Sequence, residues 1–191
     1  MPKLVIAVLA LLFAGSLAYS QAPVHHASSS NGVVSPTDVP SMPSEEEIGE
    51  LLGKTSEYVN TYQQTLSSTK YSLDKAATPG FYEKGMELSK HAIDVIDAIK
   101  KNGTSAYSLV ALIGILDDMS LNAARASAAA TLVALKEDRT DPKNHAMDDF
   151  VSLAQAEKNC YDISELLLHA TLRYISVEET ALRVLLDKQK P

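Results

Sequence analysis

Residues 44–73 read SEEEIGELLGKTSEYVNTYQQTLSSTKYSL. Within this stretch Ile48, Leu52, Thr55, Val59, Tyr62, Leu66, Thr69 and Leu73 return in alternating steps of four and three. That spacing gathers them on one face of an α-helix, whereas a half-buried strand would need a repeat of two. A stripe of this kind faces partner helices. Ser44 with Glu47 three residues on is a capping-box pattern, so the spacing predicts a helix that opens at Ser44 and ends near Ala77.

The same signals recur along the chain. Thr78 as N-cap and Pro79 at the first helical position predict a second helix. Its inward stripe is Phe81, Gly85, Leu88, Ala92, Val95, Ile96 and Ile99. It should stop at Lys100-Lys101-Asn102-Gly103, where cations precede a C-terminal glycine. Thr104 then caps a third helix running to about Lys136. After the polar segment KEDRTDPKN, a fourth helix starts between Asp141 and Asn144. No Gly or Pro occurs from Lys143 to Lys190, which allows a length of about 45 residues.

No segment alternates with period two for long enough to make a strand. The expected fold is therefore all-α, an up-down-up-down four-helix bundle with long first and last helices. With turns centred near residues 78, 103 and 141, the start of the first helix and the end of the fourth project beyond the same end. Ile48, Leu51 and Leu52 are then expected to pair with Leu182, Leu185 and Leu186 as a two-helix extension.

The chain divides into a leader (1–20), a linker (21–43) and a helical domain (44–191). The leader, MPKLVIAVLALLFAGSLAYS, has one Lys and an apolar run from Leu4 to Ala14. Ala18 and Ser20 then occupy the positions a signal peptidase reads, the pattern of a cleaved secretory signal. The run is shorter than the roughly 20 apolar residues a membrane anchor needs. Export, to periplasm or medium, with no membrane attachment after cleavage is the expectation. The linker QAPVHHASSSNGVVSPTDVPSMP is rich in Ser and Pro and lacks periodicity, which predicts disorder. His25 and His26 in it have nothing to fix a metal geometry.

The formal net charge is −7, and loss of Lys3 with the leader would make it −8. An acidic chain without a Lys/Arg cluster argues against nucleic acid as a partner. Cys160 is the only cysteine, so no internal disulfide forms and the fold rests on its apolar core. Cys160 lies on the inward stripe of the fourth helix, where a thiol is expected to be buried and inert. Asn102-Gly103-Thr104 matches the N-glycosylation sequon, but the same residues already end one helix and cap the next.

Two Glu-His pairs raise the question of a metal: Glu87 with His91, and Glu165 with His169. A carboxylate and an imidazole one turn apart on inward faces could share an ion, with Asp118 beside them. Azimuth argues otherwise, because at about 100° per residue Glu165, His169 and Asp118 fall opposite the apolar stripes of their helices and the earlier pair lies on a flank. The pairs are also at i,i+4, where ferritin-like sites use Glu-x-x-His. Exposed polar pairs are the simpler reading. No haem-attachment motif, catalytic triad or nucleophile elbow is present, so no cofactor and no enzymatic activity are expected.

The third and fourth helices nevertheless carry apolar residues behind their inward stripes. On the third these are Tyr107, Val110, Ala111, Gly114, Leu121, Ala128 and Leu132. On the fourth they are Val151, Ala154, Tyr161, Leu168, Leu172, Ile175 and Leu186. A broad arc that wraps deeper into its own bundle is the simpler expectation. The functional one is an exposed patch that makes a homo-oligomer or docks a protein partner. Arg125 and Glu157 are expected to pair across the two helices, partly shielded. The function expected is that of an exported, non-enzymatic bundle acting through self-association or partner binding. The alternative is a metal- or small-ligand-binding bundle using Glu87, His91, Asp118, Glu165 and His169.

Overall fold

A computed structural model of the chain describes residues 41–75, 80–136 and 145–188, with side chains to residue 184. These residues lie in one compact unit, Val39–Pro191. The expected leader and most of the linker lie outside the described residues. Among those described every regular element is α-helical: α1 (Glu45–Ser68), α2 (Lys70–Asp74), α3 (Phe81–Asn102), α4 (Ala106–Lys136) and α5 (Ala146–Lys188).

Helix α1 starts where its sequence says. The Glu47 N–H donates to Ser44 Oγ at 3.0 Å, and Glu45, Glu46 and Glu47 place negative charge on the positive end of the helix dipole. The other half of the capping box is not made, because the Glu47 carboxylate accepts from Arg173 of α5 at 2.5 Å instead. The expected stripe is the buried one, Ile48, Leu52, Thr55, Val59, Tyr62 and Leu66.

The first long helix expected from the sequence is interrupted at Thr69. In the run Thr65, Ser67, Ser68, Thr69, each hydroxyl donates to a backbone carbonyl three or four residues back. Such bonds compete with the helix ladder and bend it. Thr69 leaves helical geometry at φ −92°, ψ 2°, and α2 follows as one short turn that keeps Ser72 and Leu73 buried.

The second start signal also moves. Thr78 and Pro79 lie outside the described residues, but α3 begins at Phe81, so Pro79 is not its first residue. Gly80 is the N-cap, at φ 107°, a backbone region in which side chains other than glycine are strained. Helix α3 ends as expected, with the Gly103 N–H donating to Ile99 O at 2.9 Å. Thr104 does not cap α4. Ser105 does, and Ser108 plays the part of the glutamate in a reciprocal box: each backbone N–H donates to the other's Oγ at 3.1 Å.

Each long helix packs against two others, α1 on α3 and α5, and α4 on α3 and α5, with the α4–α5 seam the most extensive. Tyr62, Leu66, Ile96, Leu109, Leu112, Leu116, Met119, Leu153, Ile163 and Leu167 are fully buried in one shared core. Along the α4–α5 seam Ser120 Oγ donates to Glu157 O, Ser127 Oγ to Phe150 O and Ser164 Oγ to Asp117 Oδ1. Rising numbers on α4 meet falling numbers on α5, so the two run antiparallel.

The expected overhang does not form as a pair. Ile48 and Leu52 are buried, but Leu182 is 60% exposed, and every residue from 178 to 184 is exposed. The side chains of Leu185 and Leu186 lie outside the described residues. Arg173, roughly three helical turns earlier than Leu185, faces Glu47. Ser72 donates its hydroxyl to buried Asp149 near the start of α5. The offset is the same on both sides of Thr69, so it arises in the connections between helices and not at that break. Ending the chain after Thr180 is therefore expected to leave α1 as protected as before, with no new cleavage near Glu50 in limited proteolysis and a Tm within about 1 °C of the parent.

Candidate functional site

The five candidate ligands are all on the surface. Glu87 accepts an exposed ion pair from Lys84 at 3.2 Å, and His91, Asp118, Glu165 and His169 are exposed on α3, α4 and α5. No group of three or more His, Cys, Asp or Glu side chains converges among the described residues. The structure does not bring the two Glu-His pairs together. Arg125 and Glu157 do not meet either: Arg125 is exposed and makes no ion pair to the described residues, while Glu157 is half-buried.

Glu157 is instead a carboxylate held by burial alone, which pushes its pKa above the usual glutamate value. A raised folded-state pKa means the native state binds the proton more tightly than the unfolded chain. Its favourable contribution is thus full at acid pH and declines as pH climbs from the ordinary glutamate value through the raised one. Glu157→Gln is expected to raise Tm at pH 8 and to leave it unchanged near pH 4, read by thermal melts at the two pH values. Arg125→Met, by contrast, should change the stability of the single chain by less than about 0.5 kcal/mol at either pH, because no partner among the described residues is abandoned.

The interior holds one polar knot that sequence reasoning missed in part. Asn122 Nδ2 of α4 donates to Tyr62 Oη of α1 at 2.8 Å and to Phe81 O of α3 at 3.0 Å. Tyr62 is buried, and burial raises its phenol pKa well beyond the ordinary value, so it stays neutral. Cys160 is buried, with burial pushing its thiol up to about 12. A thiol so protonated, without an exposed face, has neither the thiolate nor the access that reactivity needs. These groups are satisfied structural members of the core, not an open site.

What remains is the outer surface of α4 and α5, and here the simpler expectation fails. Tyr107 is 85% exposed, and Val110, Leu121 and Leu132 on α4 are each about half exposed, as are Val151, Tyr161, Leu168, Leu172 and Ile175 on α5. The apolar arcs do not wrap into the bundle. Burial of Leu109, Leu112, Leu116, Met119 and Ala123 fixes the inward direction of α4, and the second row lies on the opposite side. On α5 the second row borders the seam with α4. The two rows therefore flank one seam along its length.

No large apolar side chain of α1 or α3 is exposed among the described residues, so the asymmetry belongs to the α4–α5 pair. It also explains why α4 is the one described helix long and apolar enough to cross a membrane by length and composition alone. It is apolar on two faces, with a third of that window buried in the bundle. Comparison with known proteins gives no match, whether to a family model, to a curated protein or to a solved structure.

Proposed function

We propose that this chain is an exported, non-enzymatic protein whose helices form an up-down-up-down four-helix bundle and whose activity is exercised through the outer face of α4 and α5, by self-association or by binding a protein partner. The observation that carries the reading is the confinement, among the described residues, of exposed large apolar side chains, Met42 and Tyr71 apart, to those two helices. Isolated surface leucines are ordinary; a row running the length of a helix pair is the mark of an interaction surface. Export is supported by the residue pattern of the first twenty positions. The acidic net charge favours a protein surface over a phosphate backbone as partner. No observation favours the alternative of a metal- or ligand-binding bundle through Glu87, His91, Asp118, Glu165 and His169.

Light scattering on a sizing column, combined with an apolar fluorescent dye, tests the reading. A mass above the monomer, or a monomer that binds the dye and loses it on Leu132→Glu and Leu172→Glu, supports it. A monomer that leaves the dye dark removes its basis.

A further inference from the structure

Resting on that reading, we infer that the occupant of the α4 face is a second copy of this chain, its α4 packed antiparallel across a two-fold axis beside Leu121.

The outer face of α4 carries a seven-residue repeat of its own. Tyr107, Gly114, Leu121, Ala128 and Leu135 form one line, and Ala111, Asp118, Arg125 and Leu132 form the next. Such a repeat keeps a helix facing a second helix along a left-handed seam. No helix of the described chain occupies it. Gly114 and Ala128 are small and exposed, and a Cβ built at Gly114 meets open space, so nothing inside the bundle accounts for the glycine there. A partner backbone approaching this face would.

The pattern is also symmetric about its middle. Small residues stand one heptad to either side of Leu121, and large apolar residues stand two heptads out at Tyr107 and Leu135. The two charges in the seam are opposite in sign, Asp118 just before the centre and Arg125 just after it. Neither makes an ion pair within the described chain. An antiparallel second copy places Asp118 opposite the partner subunit's Arg125, and the symmetry repeats the pair. A parallel copy would set like charges side by side, so the charge order selects the antiparallel arrangement.

The exposed apolar side chains of α4 present on the order of 500 Å² at ordinary side-chain areas, so two copies packed through this face bury about 1,000 Å² in total, the size a specific interface has to reach.

The test uses the chain as isolated. Sedimentation or light scattering is expected to show a dimer. Asp118→Arg and Arg125→Asp should each weaken it about tenfold or more, and the double exchange Asp118→Arg with Arg125→Asp should restore it to within about threefold. Circular dichroism confirms that these surface variants keep their helices. Leu121→Cys should cross-link the two copies under mild oxidation, while Val110→Cys, far from its symmetry mate in this arrangement, should not. Native Cys160, being buried, does not compete.

Cross-linking through Val110→Cys and not Leu121→Cys, or a dimer indifferent to the charge reversals, overturns the antiparallel pairing. A dye-binding monomer overturns the second copy while leaving the interaction surface standing, and the same monomer captured by lipid vesicles or by another protein names the replacement. A monomer with no dye binding overturns both.

Discussion

Gly85→Ala is expected to destabilise the protein by about 2 kcal/mol, although the same exchange in an exposed helix stabilises by up to about 1 kcal/mol. A Cβ at residue 85 would collide with Leu66 Cδ1 and lie 2.9 Å from Tyr62 Oη and 3.0 Å from Asn122 Nδ2. All three neighbours are buried, and two are bound to each other, so none can step aside without breaking a hydrogen bond or opening a void. Gly53, with open space around its would-be Cβ, is the internal control. Gly53→Ala should instead stabilise, by up to about 1 kcal/mol. Thermal melts of the two variants against the parent decide the matter, the expected shift for Gly85→Ala being a Tm lower by roughly 4–8 °C. Equal effects of the two substitutions would mean that α3 does not approach α1 and α4 at this point.

The second large effect is at Asn122. Asn122→Leu keeps the volume but withdraws the donor that binds both Tyr62 Oη and Phe81 O, and leaves a buried hydroxyl to find another partner in an apolar core. The expected cost is about 2–3 kcal/mol, within the usual penalty for an unsatisfied buried group. Removing the hydroxyl as well, with Tyr62→Phe in the Asn122→Leu chain, should recover about 1 kcal/mol or more. A double-mutant cycle by equilibrium unfolding measures that coupling. Additive losses would show that the 2.8 Å bond contributes nothing beyond packing. Because Gly85 lies against the same two side chains, its effect should not add to that of Asn122→Leu.

The inward faces were legible because helical burial has a period of its own. Ile48 through Leu66 on α1 and Leu88, Ala92, Ile96 and Ile99 on α3 belong to the stripes read from spacing, and they are buried, with Val95 partly so. Caps were less so. Ser44 works as its pattern suggests, but at Thr104-Ser105 and Thr78-Gly80 the capping residue is displaced by one or two positions. A cap is chosen by local backbone angles, and neighbouring Ser, Thr and Gly are nearly equivalent in sequence. The interruption at Thr69 had a signal, the run of hydroxyls from Thr65 to Thr69, outweighed in the reading by the stripe that continues through Leu73.

Registers between helices were not legible. Counting residues from the turns put Glu157 opposite Arg125 and Leu182 near Ile48. In the structure Glu157 offers only its backbone carbonyl to Ser120, and Arg173 takes the place given to the end of α5. Turn centres assume straight helices and symmetric connections, and the error at each connection adds to every height counted through it. Asn122 was missed for a related reason. On the sequence it is one polar residue beside an apolar arc, and its value comes from a tyrosine sixty positions away.

The amino-acid order of this protein determined by itself that it folds as helices, which face of each turns inward, and that α4 and α5 carry apolar residues on a second side, because these follow from a periodicity written within each segment. Whether that second side is covered was decided only by the tertiary structure. Exposure depends on where neighbouring helices come to lie, and the width of an apolar arc does not reveal how many neighbours will share it.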